Sequence, residues 1–328
     1  MSEPADLFRA AVLAELGNTP DYIVPGEFHR FSTNGRPNNR DGWCKLFADG
    51  YGGAFGCMRQ GFTSSWSNRA HRFTSPTDRI VQAQRIAQAR QEQAENQRQQ
   101  WAHNGERNAR LWAACRPLVP GDAASLYLRH RLKVGVLQAP AALRFHPGLD
   151  YWHDGQKIRT FPALVAAITS PAGELVALHR TYLSREGRKA AVPTAKKLTR
   201  ASGPVLGGCI RLAEPTEAGL IGVAEGIETS LAAGIAGRLP VVAAYSCGAL
   251  AAWQWPQGTQ TIAICADADE AGQKAARELG QRALAAGIKV HVATPSVAGL
   301  DWCDLLASRD LDRPPYSHPQ QHQGAAHE

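Results

Sequence analysis

Residues 261–272 read TIAICADADEAG: an apolar run closed by two carboxylates one residue apart, then the start of an amphipathic stretch, EAGQKAARELGQRALAAG (270–287). In an extended chain residues i and i+2 share a face, so Asp267 and Asp269 converge. Crowded carboxylates repel and resist ionisation unless a cation neutralises them.

The flanking sequence repeats the pattern. AGLIGVAEG (218–226) reads as a buried strand ending at Glu225, with Gly226 next to it for close backbone approach. IETSLAAGIAG reads as a helix, LPVVAAYSCG as a strand, ALAAWQWP as a helix and IKVHVATP (288–295) as a strand. Strands alternating with helices predict a parallel sheet covered on both faces, with sites at the carboxyl ends of its strands. Asp301 and Asp304, in GLDWCDLL (299–306), follow the last of these strands. Oxygen ligands without adjacent Cys or His favour Mg²⁺ or Mn²⁺. A competing explanation is helix capping: Asp269 or Glu270 opening the helix after 270, and Glu228 opening TSLAAGI.

The 328 residues carry a net charge of +7, unevenly spread. Residues 51–200 hold 23 Lys+Arg against 9 Asp+Glu, whereas residues 201–328 hold 8 against 13. A basic lobe ahead of an acidic one suits a polyanion docking beside metal-holding carboxylates. The seven cysteines are scattered without a CxxC, as expected of reduced thiols. His29, Cys44, Cys57 and His71 are the nearest approach to a metal set, with no zinc spacing. No run of about 18 apolar residues exists and the start of the chain is acidic, so the expectation is a cytoplasmic protein without membrane partners.

Upstream, a short amphipathic helix over 1–19 closes at Gly17-Asn18. Residues 22–75 then become rich in glycine and aromatics, predicting short strands with turns at Asn34-Gly35, Asp41-Gly42 and Asp49-Gly50. Phe28, Phe31, Trp43, Phe47, Tyr51, Phe55, Phe62 and Trp66 alternate with Arg30, Arg36, Arg40, Lys45, Arg59 and Arg69. Two readings stand: stacking platforms for single-stranded nucleic acid, or the filling of a small β core. The Gln-, Ala- and Arg-rich stretch after Thr77, a possible cap, predicts a solvated helix or helix pair. AASLYLRHRL (123–132) reads as a helix bearing Arg129 and Arg131, and ALRFHPGLDYW, FPALVAAITSP and ELVALHRTYLS as strands. REGRKAAVPTAKKLTR (185–200) reads as a basic loop that, with Arg180, Lys196 and Lys197, offers a phosphate-tracking surface. The polar tail from 311 has the composition of disorder.

The ordered set formed by Glu225 at a strand end, the DxD of Asp267 and Asp269, and the acids of GLDWCDLL resembles the Toprim domain shared by bacterial-type primases, topoisomerases and certain nucleases. SLYLRHRL, LRFHPGLDYW, FPALVAAIT, LVALHRTYLS and GGCIRL resemble the basic subdomain that precedes Toprim in primases of phages, plasmids and other mobile elements. HRF with GWCKLFADGYGGAFG resembles an N-terminal module found in some of them.

The resemblance implies an α/β fold: a Toprim-like parallel-sheet domain (216–310) preceded by a basic α+β subdomain (117–215), a helical connector (77–116) and a small N-terminal β-rich module (1–76), with a disordered tail (311–328). It implies a DNA primase making short primers on single-stranded DNA from nucleoside triphosphates, alongside a separate replicative helicase. Glu225 would be the general acid or base, Asp267, Asp269 and Asp301 would hold Mg²⁺ or Mn²⁺, and Arg129, Arg131, Arg180, Lys196 and Lys197 would meet template or nucleotide. Two departures matter: no Cys-ligated zinc module and no GxxxxGK[ST] phosphate loop are present. The alternatives are a non-catalytic replication accessory protein and a Toprim nuclease.

Overall fold

A computed structural model describes residues 3–35, 40–57, 62–68, 76–135, 138–295 and 301–307. Arg36, Arg59, Arg69, His71 and the tail read from 311 lie outside the described residues, and the side chain of Thr77 is not described. The chain divides into two compact units, residues 1–99 and 100–328.

In the first unit, helix α1 (Pro4–Leu16) ends at Gly17, whose φ of 70° is a left-handed stop that glycine adopts freely. Phe8, Val12 and Leu16, four residues apart, form its buried face. They pack on an antiparallel sheet of β1 (Phe28–Phe31), β2 (Gly42–Leu46), β3 (Gly52–Cys57) and β4 (Phe62–Ser67), in that order. The aromatics make this core. Phe31, Trp43, Phe47 and Phe55 are buried, Phe8 meets Phe55 edge-on at 5.9 Å, and Phe28 stacks on Trp43 at 5.7 Å. Asp41-Gly42 is not a turn, because Gly42 opens β2. Cys44 and Cys57 belong to the core, where burial pushes the Cys44 thiol up to about 12. The His29 ring nitrogen Nε2 accepts from the Val24 N–H, and the described residues hold no group of three side chains placed for a metal.

Glycine is required where a neighbouring strand and a ring crowd β3. A Cβ at Gly56 would stand 2.3 Å from the Phe62 carbonyl oxygen and 2.8 Å from Trp43 Nε1. Since a paired backbone atom cannot retreat cheaply, Gly56→Ala is expected to destabilise this unit by about 1–3 kcal/mol, read as an earlier thermal transition by circular dichroism.

Helix α2 (Pro76–Ala113) is one 38-residue helix, and the division between the units falls within it. In the second unit follow β5 (Arg116–Pro117), α3 (Ala123–Leu132), β6 (Leu143–His153), β7 (Gln156–Thr169), β8 (Leu175–Tyr182) and β9 (Lys196–Leu198). The five strands pair in sequence order as an antiparallel sheet. Pro147-Gly148 makes a bulge inside β6, the strand read over this stretch, and β9 forms within the stretch read as a loop. One sheet face, with Leu164, Ala166 and Ile168, packs on α3. The other, with Val165, Leu178 and Tyr182, packs on Leu111 and Trp112.

The chain then builds β10 (Leu220–Ala224), α4 (Ile227–Gly237), β11 (Val241–Ala243), α5 (Cys247–Ala252), β12 (Thr261–Cys265), α6 (Glu270–Ala285), β13 (Lys289–Ala293) and α7 (Trp302–Ala307). All four strands are parallel, in the order β11-β10-β12-β13. The expected α/β architecture is therefore present: a parallel-sheet region, an antiparallel α+β region before it, and a β-rich N-terminal part. No helix among the described residues is long and apolar enough to cross a membrane.

Candidate functional site

The strand order reverses at β10. The crossover through α4 leads to β11 on one side, and the chain returns through α5 to β12 on the other. The carboxyl ends of such a pair flank the crevice where open α/β sheets bind ligands. Ala224 is level with Cys265, so Glu225, one residue on, and Asp267, two residues on, stand just past adjacent strand ends.

The three leading acids differ in their partners. Glu225 Oε2 accepts from the Cys247 thiol at 2.7 Å. The thiol belongs to the first residue of α5, directly after the loop in which Tyr245 holds a left-handed φ of 61° and donates its hydroxyl to the Val205 carbonyl at 2.7 Å. Asp269 caps α6, accepting from Gly272 N at 2.7 Å through Oδ1. The capping explanation thus holds for one of its oxygens. Asp267 is half-buried, and burial, followed by the charges of Glu225, Asp269 and Asp301, pushes its carboxyl up to about 6 against the pull of Lys196. Asp301 and Asp304 cap α7 reciprocally, each accepting the other's backbone N–H. Asp301 also meets Arg131 at 3.2 Å.

Among the described residues no three His, Cys, Asp or Glu side chains stand close enough to enclose a metal. In kind, however, the donors fit a hard divalent cation: they are carboxylate oxygens, and burial together with their mutual repulsion already raises Asp267.

Strand alternation divides the predicted cations. Lys196 and Lys197 point to opposite faces of the antiparallel sheet. Lys196 Nζ reaches Glu228 Oε2 at 2.9 Å, whereas Lys197 Nζ lies 4.2 Å from the centre of the Tyr151 ring and donates to the Trp152 carbonyl. Arg180 shares the Lys197 face and donates to the Leu198 carbonyl at 2.7 Å. Arg129 is exposed near the end of α3, and Arg131 pairs with Asp301. The structure therefore brings Lys196 and Arg131 to the acidic crevice and leaves Arg180 and Lys197 on the far face.

Two groups at the crevice escape a reading of the sequence. Glu228, a candidate helix opener, is 5% exposed and accepts from both Tyr127 and Lys196, while Gly226 occupies the N-cap of α4. With φ −97° that cap conformation is open to any residue. Burial would raise Glu228, but the Lys196 charge and the hydrogen bonds from Tyr127 and Lys196 outweigh it and hold the carboxyl at about 2. A second acid three residues after Glu225 was the available signal. Cys247 offered none, since its place depends on β11 lying beside β10.

Cys247 yields a prediction. Burial, then the hydrogen bond to Glu225 and its charge, push the thiol up to about 12, and thiolates are the reactive form. Iodoacetamide at pH 8 should label Cys247 far more slowly than a free thiol, and faster in Glu225→Gln, as read by peptide mass spectrometry. Labelling of the native chain at the free-thiol rate would contradict this geometry.

Known proteins share parts of this architecture. Residues 102–212 match the family model of a domain of unknown function (DUF7146), and residues 220–310 match that of the Toprim domain. Among solved structures, similarity extends to a DNA primase domain from Pseudomonas aeruginosa, at 20% identity over 50% of this chain and 52% of that one, TM-score 0.35. The primase fragment of the bacteriophage T7 primase-helicase protein is 20% identical over 51% of this chain and 62% of that one, TM-score 0.34. The Aquifex aeolicus primase, comprising zinc-binding and RNA polymerase domains, is 16% identical over 95% and 84%, TM-score 0.39. The chain thus spans about half of the first of these and under two thirds of the second. No curated protein matches it. Residues 220–310, with parallel strands and carboxylates at the carboxyl edge, are a Toprim domain.

Proposed function

We propose that this chain is a DNA primase of the phage and plasmid type, a nucleotidyltransferase that makes short primers on single-stranded DNA. The observation that carries this reading is the meeting of Glu225 and Asp267 at the switch point of the Toprim sheet, where burial and repulsion raise Asp267 to about 6. Asp267 and Asp269 would hold Mg²⁺ or Mn²⁺, Asp269 through the oxygen not engaged with α6, and Asp301 would add negative charge at the edge. Such a cation, when bound, neutralises triphosphate charge and lowers the pKa of the attacking hydroxyl. Glu225 would take the proton from that hydroxyl through Oε1, while the Cys247 thiol holds Oε2 and fixes the carboxylate plane. Arg131 and Lys196 would balance charge at the crevice, and Arg129, exposed on α3, is the freest of the five cations to meet a phosphate. Arg180 and Lys197 would serve strand binding on the other face. A separate replicative helicase is the partner this reading calls for.

The other readings are a binding role without turnover and a Toprim nuclease. One assay separates the readings: single-stranded DNA, labelled nucleoside triphosphates and Mg²⁺ or Mn²⁺. New labelled oligonucleotides support the primase, shortened template indicates a Toprim nuclease, and binding without either product indicates an accessory protein.

A further inference from the structure

We propose that the β6–β7 hairpin is a contact arm for single-stranded nucleic acid, with Trp152 stacking on a base of the strand. This rests on the function proposed above and names a contact for its template. Trp152, paired with Lys157, is 52% exposed, and Ile158, the extra residue of a bulge at this point of β7, is 56% exposed. An indole half in solvent offers a flat apolar face that a nucleic-acid base can cover.

The arm is built rather than loose. Its tip turns through Asp154 at φ 48° and Gly155 at φ 77°, the conformation of the tight turn that suits a twisted hairpin. Behind the tip, Asp150 accepts from Thr160 Oγ1 and from Lys157 Nζ, each at 2.9 Å, and the Trp152 carbonyl accepts from Lys197. A ring on so braced a scaffold loses little freedom when a base covers it.

Register places that ring. Trp152 shares a face with Asp150, which pairs with Thr160; Thr160 shares a face with Leu164, which pairs with Thr181, which pairs with Lys196. Trp152 therefore lies on the sheet face from which Lys196 reaches Glu228, three residues after Glu225. The surrounding charge selects the partner. Lys157, paired with Asp150, lies on the Trp152 face, Arg159 and Lys197 lie on the opposite face of the arm, and residues 101–200 hold 16 Lys+Arg against 6 Asp+Glu, which favours a polyanion over an apolar protein surface. An aromatic face beside cations is the sequence-tolerant way to hold single strands.

The test is fluorescence anisotropy with the full chain and a fluorescein-labelled oligothymidylate of about 20 nucleotides, without triphosphates or metal, comparing wild type, W152A, W152F and W152K. W152A should weaken binding at least about fivefold, the value of one stacked base at its lower limit, and W152F should stay within about twofold. W152K should also bind more weakly than wild type despite its added charge. Unchanged binding by W152A, tighter binding by W152K or no binding by wild type would each overturn the arm. Matching circular dichroism spectra keep a folding defect from imitating the effect. Because this assay needs no synthesis, a chain that makes no primers but shows this pattern keeps the arm and loses the primase. A chain that makes primers but whose W152A variant binds normally keeps the primase and loses the arm.

Discussion

Replacing Glu225 by Gln, or Asp267 by Asn, is expected to lower primer synthesis by roughly a hundredfold to ten-thousandfold while leaving single-strand binding intact. Both changes keep side-chain volume. Glu225→Gln removes the proton acceptor but not the neighbour on which Cys247 rests. Asp267→Asn removes the acid whose ionisation is most opposed by its surroundings, so the fold should gain slightly from it at neutral pH. The sign follows from linkage: a carboxyl raised in the folded state costs stability once pH passes its unfolded value near 4. Loss of activity with an unchanged or higher melting temperature is thus the signature of a chemical role. An Asp267→Asn protein as active as wild type would remove the assignment.

The second large effect concerns the buried bridge between β9 and α4. Lys196→Met should destabilise the second unit by about 3 kcal/mol, because Glu228 would keep its charge in a place water hardly reaches. Glu228→Gln should cost less, about 1–2 kcal/mol, since the Lys196 side chain is 38% exposed and its ammonium can turn to solvent. Replacing both with methionine should restore most of the loss, as apolar substitutes for buried ion pairs generally do. In the wild type, Glu228 is held at about 2, below its unfolded value, so its contribution is present above about pH 4 and lost as pH falls through 2. Without Lys196, burial dominates and the sign inverts. The gap in melting temperature between wild type and Lys196→Met should therefore narrow from pH 7 to pH 4. Equal gaps at both pH values would show that Glu228 is not the buried charge responsible.

Much of the Toprim region was legible because its signals are local. The apolar run of β12, the two acids after it and the helix behind them lie within 25 residues, and period-2 alternation alone places Asp267 beside Asp269. Partners chosen by strand order were not legible. Cys247 reaches Glu225 because β11 flanks β10, and nothing in LPVVAAYSCG states which strand it will flank. Lys196 and Lys197 read as one basic patch until β9 pairs with β8 and sends them to opposite faces. The N-terminal aromatics carried two meanings in sequence, and only the packing of α1 on one set and of Ile86 and Ala89 of α2 on another shows that most of them fill a core. Trp152 looked like part of a strand; its exposure depends on how far the hairpin extends beyond its neighbours.

Asp269 starts helix α6 with one carboxylate oxygen and faces the crevice as an acid. An alanine scan would confound these duties, since losing the helix start perturbs the segment that carries Asp267 as well. Asparagine caps a helix about as well as aspartate. The Asn variant therefore isolates electrostatics from architecture at this position, and an alanine result there reports on the scaffold before it reports on chemistry.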